Sequence, residues 1–143
     1  MNKFEQLIEY VINDEEAKQL TGVKDLRRAA AAIQNMGPQF VVIKKGEHGC
    51  MLFGEADEIF AMPALPLDEV VDPTGAGDSF AGGFMGYLAN QEKIDFQSLK
   101  NAVVHGSATA SFTCEAFGPD RLATVSLGKI EGRVQEFRAL THF

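Results

Sequence analysis

The chain has 143 residues, which is enough for one domain with its own hydrophobic core. Its hydrophobic content of 45% and charged content of 23% are typical of a soluble globular protein, and no apolar run reaches the length of a membrane span. The net charge of −7 argues against nucleic acid as a partner, because phosphate contacts need clustered Lys and Arg. The opening segment MNKFEQLIEY lacks the pattern of a signal peptide, so we expect a cytoplasmic protein without a membrane partner.

The cysteines and histidines are scattered along the chain. Cys50 and Cys114 lie in apolar surroundings, which is typical of buried thiols in a reducing compartment. Neither has a second Cys or a His at metal-ligand spacing, and His48, His105 and His142 are equally dispersed. We therefore do not expect a zinc site.

In chain order, the first half of the sequence alternates apolar runs with helical patterns. Asn13 is a suitable N-cap because acidic residues follow it, and Gly22 is a suitable stop. The predicted strands are 8–12, 39–46, 50–54 and 57–64, the predicted helices are 13–22 and 24–37, and the second helix should bury Leu26, Ala30, Ile33 and Met36 on one face.

The second half predicts a short strand ending at Val71, a glycine-rich bend and then three helices. These helices are expected at about 75–89, 96–112 and 126–140. Strands that alternate with helices favour an α/β fold with a partly parallel sheet flanked by helices. Ligands of such sheets gather at the carboxyl ends of the strands.

The glycine-rich bend is the most informative stretch, VVDPTGAGDSFAGGF at 70–84. It predicts that Gly75, Ala76 and Gly77 lie at a helix N-terminus, where backbone N–H groups have no intrahelical partner and the helix dipole is positive. Glycine lets an anion approach this backbone closely. Asp78 would lie in the first turn, beside a bound phosphate, where it could accept a proton from an attacking hydroxyl.

The alternative is a capped helix whose glycines only allow close packing. We favour that alternative for Gly82, Gly83 and Gly86, since they fall inside the predicted helix and would let a neighbouring element come near.

The full run D-P-T-G-A-G-D-S-F-A-G-G-F resembles the C-terminal signature of the ribokinase, or PfkB, family of ATP-dependent carbohydrate and nucleoside kinases. The resemblance implies a ribokinase-like three-layer fold, ATP and Mg²⁺ as cofactors and, in many members, a monovalent cation such as K⁺. It also implies that the amides of Gly75, Ala76 and Gly77 stabilise the transferred γ-phosphoryl and that Asp78 is the catalytic base. Thr74 would lie in the nucleotide site. Asp72 resembles a cation-binding position, although a turn-capping carboxylate explains it equally well.

Two earlier segments resemble other parts of the family's site. Asn13 and Glu16 form an N-x-x-E pattern that would position Mg²⁺ and phosphate, although a helix cap also explains it. In VVIKKGEHGCMLF, the glycines would pass close to the nucleotide and a lysine would approach its phosphates, although hairpin chemistry alone explains the glycines. The residues concerned are Lys44 or Lys45, Gly46 and Gly49.

The segment NAVVHGSATASF at 101–112 is rich in small residues. The resemblance implies that this helix lines the adenine pocket, with Asn101 facing the nucleotide and His105 as a neighbour. Close packing against another helix is the alternative. Phe117 and Gly118 resemble the segment that closes under the nucleotide and contributes to the cation loop.

The resemblance covers only the C-terminal half of the family's domain. We therefore expect residues 1–143 to form a single partial domain that lacks the N-terminal substrate and lid half. An exposed sheet edge would favour self-association or pairing with a complementary N-terminal half. The expected function is phosphoryl transfer from ATP to a hydroxyl of a sugar or nucleoside, and the alternative is an inactive nucleotide-binding or interaction module. No G-x-G-x-x-G follows a strand, which argues against a dinucleotide-binding oxidoreductase.

Overall fold

The computed structural model describes residues 11–66, 75–114 and 127–143. The strands are β1 (Val11–Asn13), β2 (Val41–Lys44), β3 (Cys50–Phe53) and β4 (Ile59–Met62). The helices are α1 (Asp14–Thr21), α2 (Leu26–Gln34), α3 (Ala76–Ala89), α4 (Phe96–Cys114) and α5 (Leu127–Thr141), with a 3₁₀ turn at Gly46–His48. The chain divides into two compact units, Met1–Ala64 and Leu65–Phe143.

The first unit contains a four-stranded mixed sheet of order β1-β2-β3-β4. β1 and β2 are parallel, whereas β2, β3 and β4 form two antiparallel pairs. The predicted strands are confirmed within the described residues, and the predicted hairpin between β2 and β3 is present. The parallel pair ends with Asn13 opposite Lys44, so these two residues share the carboxyl edge of the sheet.

Helices α1 and α2 supply the apolar core of the first unit. Their buried residues are Ala17, Ala29, Ala30 and Ile33, which cluster with Val41, Ile43 and Phe53 of the sheet. The expectation that Met36 lies on this buried face is wrong, because α2 ends at Gln34 and Met36 is 59% exposed. A residue beyond the last turn no longer follows the helical period.

The predicted boundaries of α1 are confirmed by its caps. Asn13 has extended backbone and its side chain accepts a hydrogen bond from the Glu16 amide, while Gly22 ends the helix in the left-handed conformation at φ 71°. Asp25 caps α2 in the same way through the Arg28 amide. Local polar chemistry therefore fixes where both helices start.

The second unit is helical in its described part, and α3 and α4 approach closely. A Cβ at Gly83 would lie 2.5 Å from the Thr109 hydroxyl, and one at Gly106 would lie 2.8 Å from the Phe80 carbonyl oxygen. The predicted close approach is therefore confirmed at Gly83. At Gly82 and Gly86, a Cβ would meet nothing in the described part of the chain, so the same expectation is not supported there.

Helix α5 confirms the surface helix predicted at 126–140. It buries only Val134 and Phe137, and most of its other residues are exposed. The strand predicted to end at Val71 lies outside the described residues.

Two expectations from the composition can be compared with the described residues: the burial of the cysteines and the lack of a membrane span. Cys50 is a buried thiol, as predicted, whereas the side chain of Cys114 lies outside the described part. Among the described helices, none combines the length and apolarity needed to cross a bilayer.

Candidate active site

The N-terminus of α3 lacks a side-chain cap. Gly75 occupies the N-cap position at φ 85° and ψ −3°, and within the described residues no side chain caps the backbone amides of the first turn. The Ser79 amide donates to the Gly75 carbonyl at 2.9 Å, which closes the first helical turn. The N–H groups of Ala76, Gly77 and Asp78 come before this bond and have no intrahelical acceptor. They form the positive end of the helix dipole, which is the geometry that binds anions.

Asp78 lies in that same first turn and is exposed. Within the described residues its carboxylate makes no hydrogen bond and no ion pair. An acidic residue in the first turn often bonds back to the helix start, but Asp78 does not. Its carboxylate is therefore available to a ligand at the helix end.

Ser79 and Thr113 hold the first turn of α3 against α4. Their hydroxyl oxygens are 2.7 Å apart, and Thr113 is 1% exposed. Sequence reasoning did not single out either residue. Ser79 belongs to the glycine-rich signature, but the only signal for Thr113 would have been a polar residue inside an apolar helical stretch.

Asn13 and Glu16 form a reciprocal capping box at the start of α1. The backbone N–H of Glu16 donates to Asn13 Oδ1 at 2.8 Å, and the backbone N–H of Asn13 donates to Glu16 Oε1 at 3.1 Å. The cap interpretation is therefore confirmed, and the Mg²⁺ role stays a prediction. Because each side-chain oxygen has more than one lone pair, the box leaves acceptor capacity for a hydrated cation.

The first unit brings together three of the predicted site residues. Asn13 and Lys44 are direct neighbours at the carboxyl ends of parallel strands, and Glu16 bonds to Asn13. This sheet edge is where α/β proteins hold their ligands. Lys45 follows Lys44 and donates its amide to the Gly49 carbonyl at 2.7 Å, which closes the turn.

The two glycines of that turn have local structural reasons. A Cβ at Gly49, which has φ 87°, would overlap the carbonyl oxygen of Met62 in β4. Gly46 has φ 57° with open space where its Cβ would be. The hairpin explanation therefore accounts for both positions, and their contact with a nucleotide stays a prediction.

His105 connects three helices of the second unit. Its Nδ1 lies 2.9 Å from the Asn101 carbonyl oxygen, its Nε2 lies 3.1 Å from Glu131 Oε1 in α5, and its ring centroid lies 4.5 Å from that of Tyr87 in α3. Both ring nitrogens therefore have partners inside the unit. The packing interpretation is supported for His105, and nucleotide contacts by His105 and by the half-buried Asn101 side chain stay predictions.

Several predicted site residues lie outside the described part of the chain. These are Asp72, Thr74, Phe117 and Gly118. Among the residues that are described, no three His, Cys, Asp or Glu side chains come together as a metal cluster. A depression of about 210 Å³ between α2 and the β3–β4 turn, lined by Arg27 and Gln34 among others, contains none of the predicted residues.

Residues 5–124 match the pfkB family of carbohydrate kinases. The chain belongs to this family. It is 46% identical over 75 residues to the cytidine kinase of Thermococcus kodakarensis, covering 51% of this chain and 26% of that protein. The predicted resemblance is thus confirmed.

Solved structures of kinases share the fold, which confirms the predicted fold class. The crystal structure of aminoimidazole riboside kinase from Salmonella enterica, complexed with aminoimidazole riboside and an ATP analog, matches with a TM-score of 0.74 and 27% identity over 87% of this chain and 41% of that one. The fructokinase from Vibrio cholerae O395, in its fructose, ADP and calcium ion bound form, matches with a TM-score of 0.76 at 20% identity, over 87% and 40%. The chain spans less than half the length of each of these relatives.

Proposed function

We propose that this chain is the ATP-binding and base-bearing half of a pfkB-type kinase, which transfers the γ-phosphoryl of ATP to a hydroxyl of a sugar or nucleoside. The observation that carries the proposal is the open N-terminus of α3, with an exposed Asp78 in its first turn. Membership of the family supports it.

In the proposed reaction, the amides of Ala76, Gly77 and Asp78 hold the transferred phosphoryl and stabilise its developing charge. The Asp78 carboxylate accepts the proton of the acceptor hydroxyl as the new P–O bond forms and the bond to ADP breaks. The protein forms no covalent bond to the substrates in this reaction. Positioning of these groups therefore supplies most of the rate enhancement.

Asn13 and Glu16 would hold a hydrated Mg²⁺, because an amide and a carboxylate oxygen are ligands this ion accepts while it keeps several waters. The metal would neutralise phosphate charge. Lys44, next to Asn13 at the sheet edge, adds a positive charge in the same place. Asp72 is proposed for a monovalent cation such as K⁺. Lys44 with Gly46 and Gly49, and Thr74 with Asn101, are proposed as nucleotide contacts.

The proposed class of phosphoryl acceptor is taken from the relatives of this chain. Cytidine kinase and aminoimidazole riboside kinase are named for nucleosides, and the fructokinase structure contains a sugar. We propose an acceptor of this kind and a cytoplasmic enzyme. Because the chain spans less than half the length of each relative, we also propose that the acceptor site is completed by self-association or by a complementary N-terminal half, joined at the β1 edge of the sheet.

Isothermal calorimetry of Mg-ATP on the wild-type chain tests the proposal. Gly77→Val places a branched side chain at the proposed phosphate and should weaken binding about 100-fold, equivalent to about 2.7 kcal/mol. Asp78→Asn should bind Mg-ATP within about threefold of wild type, since the carboxylate acts on the acceptor rather than on ATP.

Two variants control for unspecific effects. Gly82→Val introduces the same side chain at an exposed position of the same helix, and Glu92→Gln removes an exposed charge elsewhere in the unit. Both should bind like wild type. A folded wild-type chain that binds no Mg-ATP, or a Gly77→Val variant that binds as tightly as Gly82→Val, would contradict the proposal. Binding with no phosphoryl transfer to any sugar or nucleoside, even in the presence of the complementary half, would favour the inactive nucleotide-binding module.

A further inference from the structure

Thr113 is a buried polar residue whose partner lies in the phosphate-binding turn. Its hydroxyl oxygen is 2.7 Å from that of Ser79, and its side chain is 1% exposed. The other buried polar residues of the described part have different partners: Ser98 bonds to Asp95, and Ser111 bonds to Ala108 and Arg133. Of these buried hydroxyls, the one on Thr113 is bonded to the first turn of α3.

The Thr113 side chain bonds to one end of that turn and faces the other. Its methyl carbon would lie 3.8 Å from a Cβ built on Gly75, so the methyl group faces the open space beside the left-handed residue that opens the turn. Its hydroxyl meets Ser79, whose amide donates to the Gly75 carbonyl at 2.9 Å. The amides of residues 76–78 lie between Gly75 and Ser79 along the chain.

Without a partner on α4, the hydroxyl of Ser79 could bond within its own helix. A serine inside a helix can bond back to the carbonyl oxygen four residues before it, and such a bond bends or slightly destabilises the helix. A fixed partner on α4 removes that competition. It also holds the turn in one conformation before a ligand arrives, which reduces the ordering cost of binding.

We propose that Thr113 is a positioning residue for phosphate binding: through its hydrogen bond with Ser79 it holds the amides of Ala76, Gly77 and Asp78 directed at one anion. This inference rests on the proposed function, since it assigns a residue to the same site. Thr113 touches neither nucleotide nor acceptor, and it acts through the turn.

Thr113→Val keeps the shape of the side chain and removes the hydroxyl. In calorimetry with Mg-ATP it should weaken binding about five- to tenfold, and Ser79→Ala should do the same, because each removes one half of the pair. The double variant should be no weaker than either single variant, since residues of one hydrogen bond are not additive. Thr113→Ser keeps the hydroxyl and should restore binding to within about twofold of wild type.

Thr141→Val is the matched control. It is the same substitution in the same unit, and its hydroxyl bonds to the Phe137 carbonyl of its own helix at 2.9 Å rather than to the turn. It should bind Mg-ATP like wild type. If wild type binds but Thr113→Val binds equally well, or if Thr141→Val loses as much, the positioning role is wrong while the proposed function stands.

Amide hydrogen exchange separates this proposal from the failure of the proposed function. In the ligand-free chain, the Ser79 amide should exchange at least tenfold faster in Thr113→Val than in wild type or Thr141→Val, because the turn opens more often. If wild type binds no Mg-ATP, the proposed function fails, but this exchange difference still supports a turn fixed by Thr113. Equal exchange rates at Ser79 in all three proteins would overturn the inference whatever the binding result.

Discussion

The first turn of both α1 and α3 contains an acidic residue, but side chains cap the N-terminus of α1 and leave that of α3 uncapped. At α1, Asn13 and Glu16 bond to each other's backbone amides and close the end. At α3, Gly75 offers no side chain, and Asp78 bonds to nothing in the described part of the chain. The comparison shows that a helix start can be built for stability or left open for a ligand, and that the cap residue decides between the two.

The backbone conformations of the two cap residues explain why they are not interchangeable. Asn13 is extended at φ −90° and ψ 169°, which any residue adopts, so its side chain can turn back onto the helix. Gly75 is left-handed at φ 85°, where residues with a Cβ are strained. The open end therefore depends on glycine, and it exposes amides that a polar side chain would otherwise occupy.

The largest expected effect on stability concerns Gly75. Gly75→Ala should lower the free energy of unfolding by about 1–2 kcal/mol, because alanine is strained at this φ even though its Cβ would have room. Gly82→Ala, in the exposed interior of the same helix, should instead raise it by about 0.5–1 kcal/mol. Urea unfolding of both variants measures the difference. Two changes of the same sign would contradict the strained, open cap.

The next largest effect on stability is expected at the capped N-terminus of α1. Asn13→Ala removes the acceptor for the Glu16 amide and should cost about 1 kcal/mol in urea unfolding. Asn90→Ala is the control, since its side chain makes only an exposed 3.5 Å contact with the Gly86 carbonyl oxygen, and it should cost little. If Asn13→Ala is as stable as Asn90→Ala, the capping box does not stabilise the helix.

Asp78 should contribute little to stability, in contrast to the capping box. Asp78→Asn loses only the interaction of an exposed charge with the helix dipole, about 0.3–0.5 kcal/mol. The same unfolding experiment at low ionic strength, repeated in high salt, should show this small difference disappear. If Asp78→Asn lowers the free energy of unfolding by more than about 1.5 kcal/mol, the upper range for a neutral hydrogen bond, the carboxylate stabilises the fold and is not available to a ligand.

A third helix start, that of α4, allows a comparison by pH. Asp95 accepts a hydrogen bond from the Ser98 amide at 2.9 Å, and this bond lowers the pKa of the Asp95 carboxyl. Because its pKa is lower in the folded state, the stabilisation is complete above the pKa of the unfolded chain and is lost as the pH falls through the folded pKa.

Wild type should therefore lose more stability than Asp95→Asn between about pH 6 and pH 3, since the amide side chain caps the helix without titrating. Urea unfolding at both pH values provides the measurement. Parallel losses in the two proteins would show that the Asp95 cap does not depend on its charge.

Much of the fold follows from local sequence, because caps, glycines and apolar periods act over a few residues. The N-cap at Asn13, the stop at Gly22 and the start of α3 at Gly75 are of this kind, and all were predicted correctly. The error at Met36 arose because the end of α2 was placed too late. The family resemblance also came from a contiguous run, which needs no tertiary information.

What the sequence could not predict depends on partners distant along the chain. Ser79 meets Thr113, and His105 meets Glu131, through helix packing that no local pattern encodes. Gly83 and Gly82 are neighbours in sequence, but only the first faces α4 closely within the described residues. The catalytic and metal roles of Asp78, Asn13, Glu16 and Asp72 stay predictions, since their tests need ligands.

The most direct test of the open helix start is a titration of the ¹⁵N-labelled chain with inorganic phosphate, without Mg²⁺, followed by NMR. The amide signals of Ala76, Gly77 and Asp78 should shift in a saturable way, and the shifts should be lost in Gly77→Val but kept in Gly82→Val. The amides of Asp14, Glu15 and Glu16 should not respond, because their helix end is already capped and negatively charged. Equal shifts at both helix starts, or none at α3, would contradict the account.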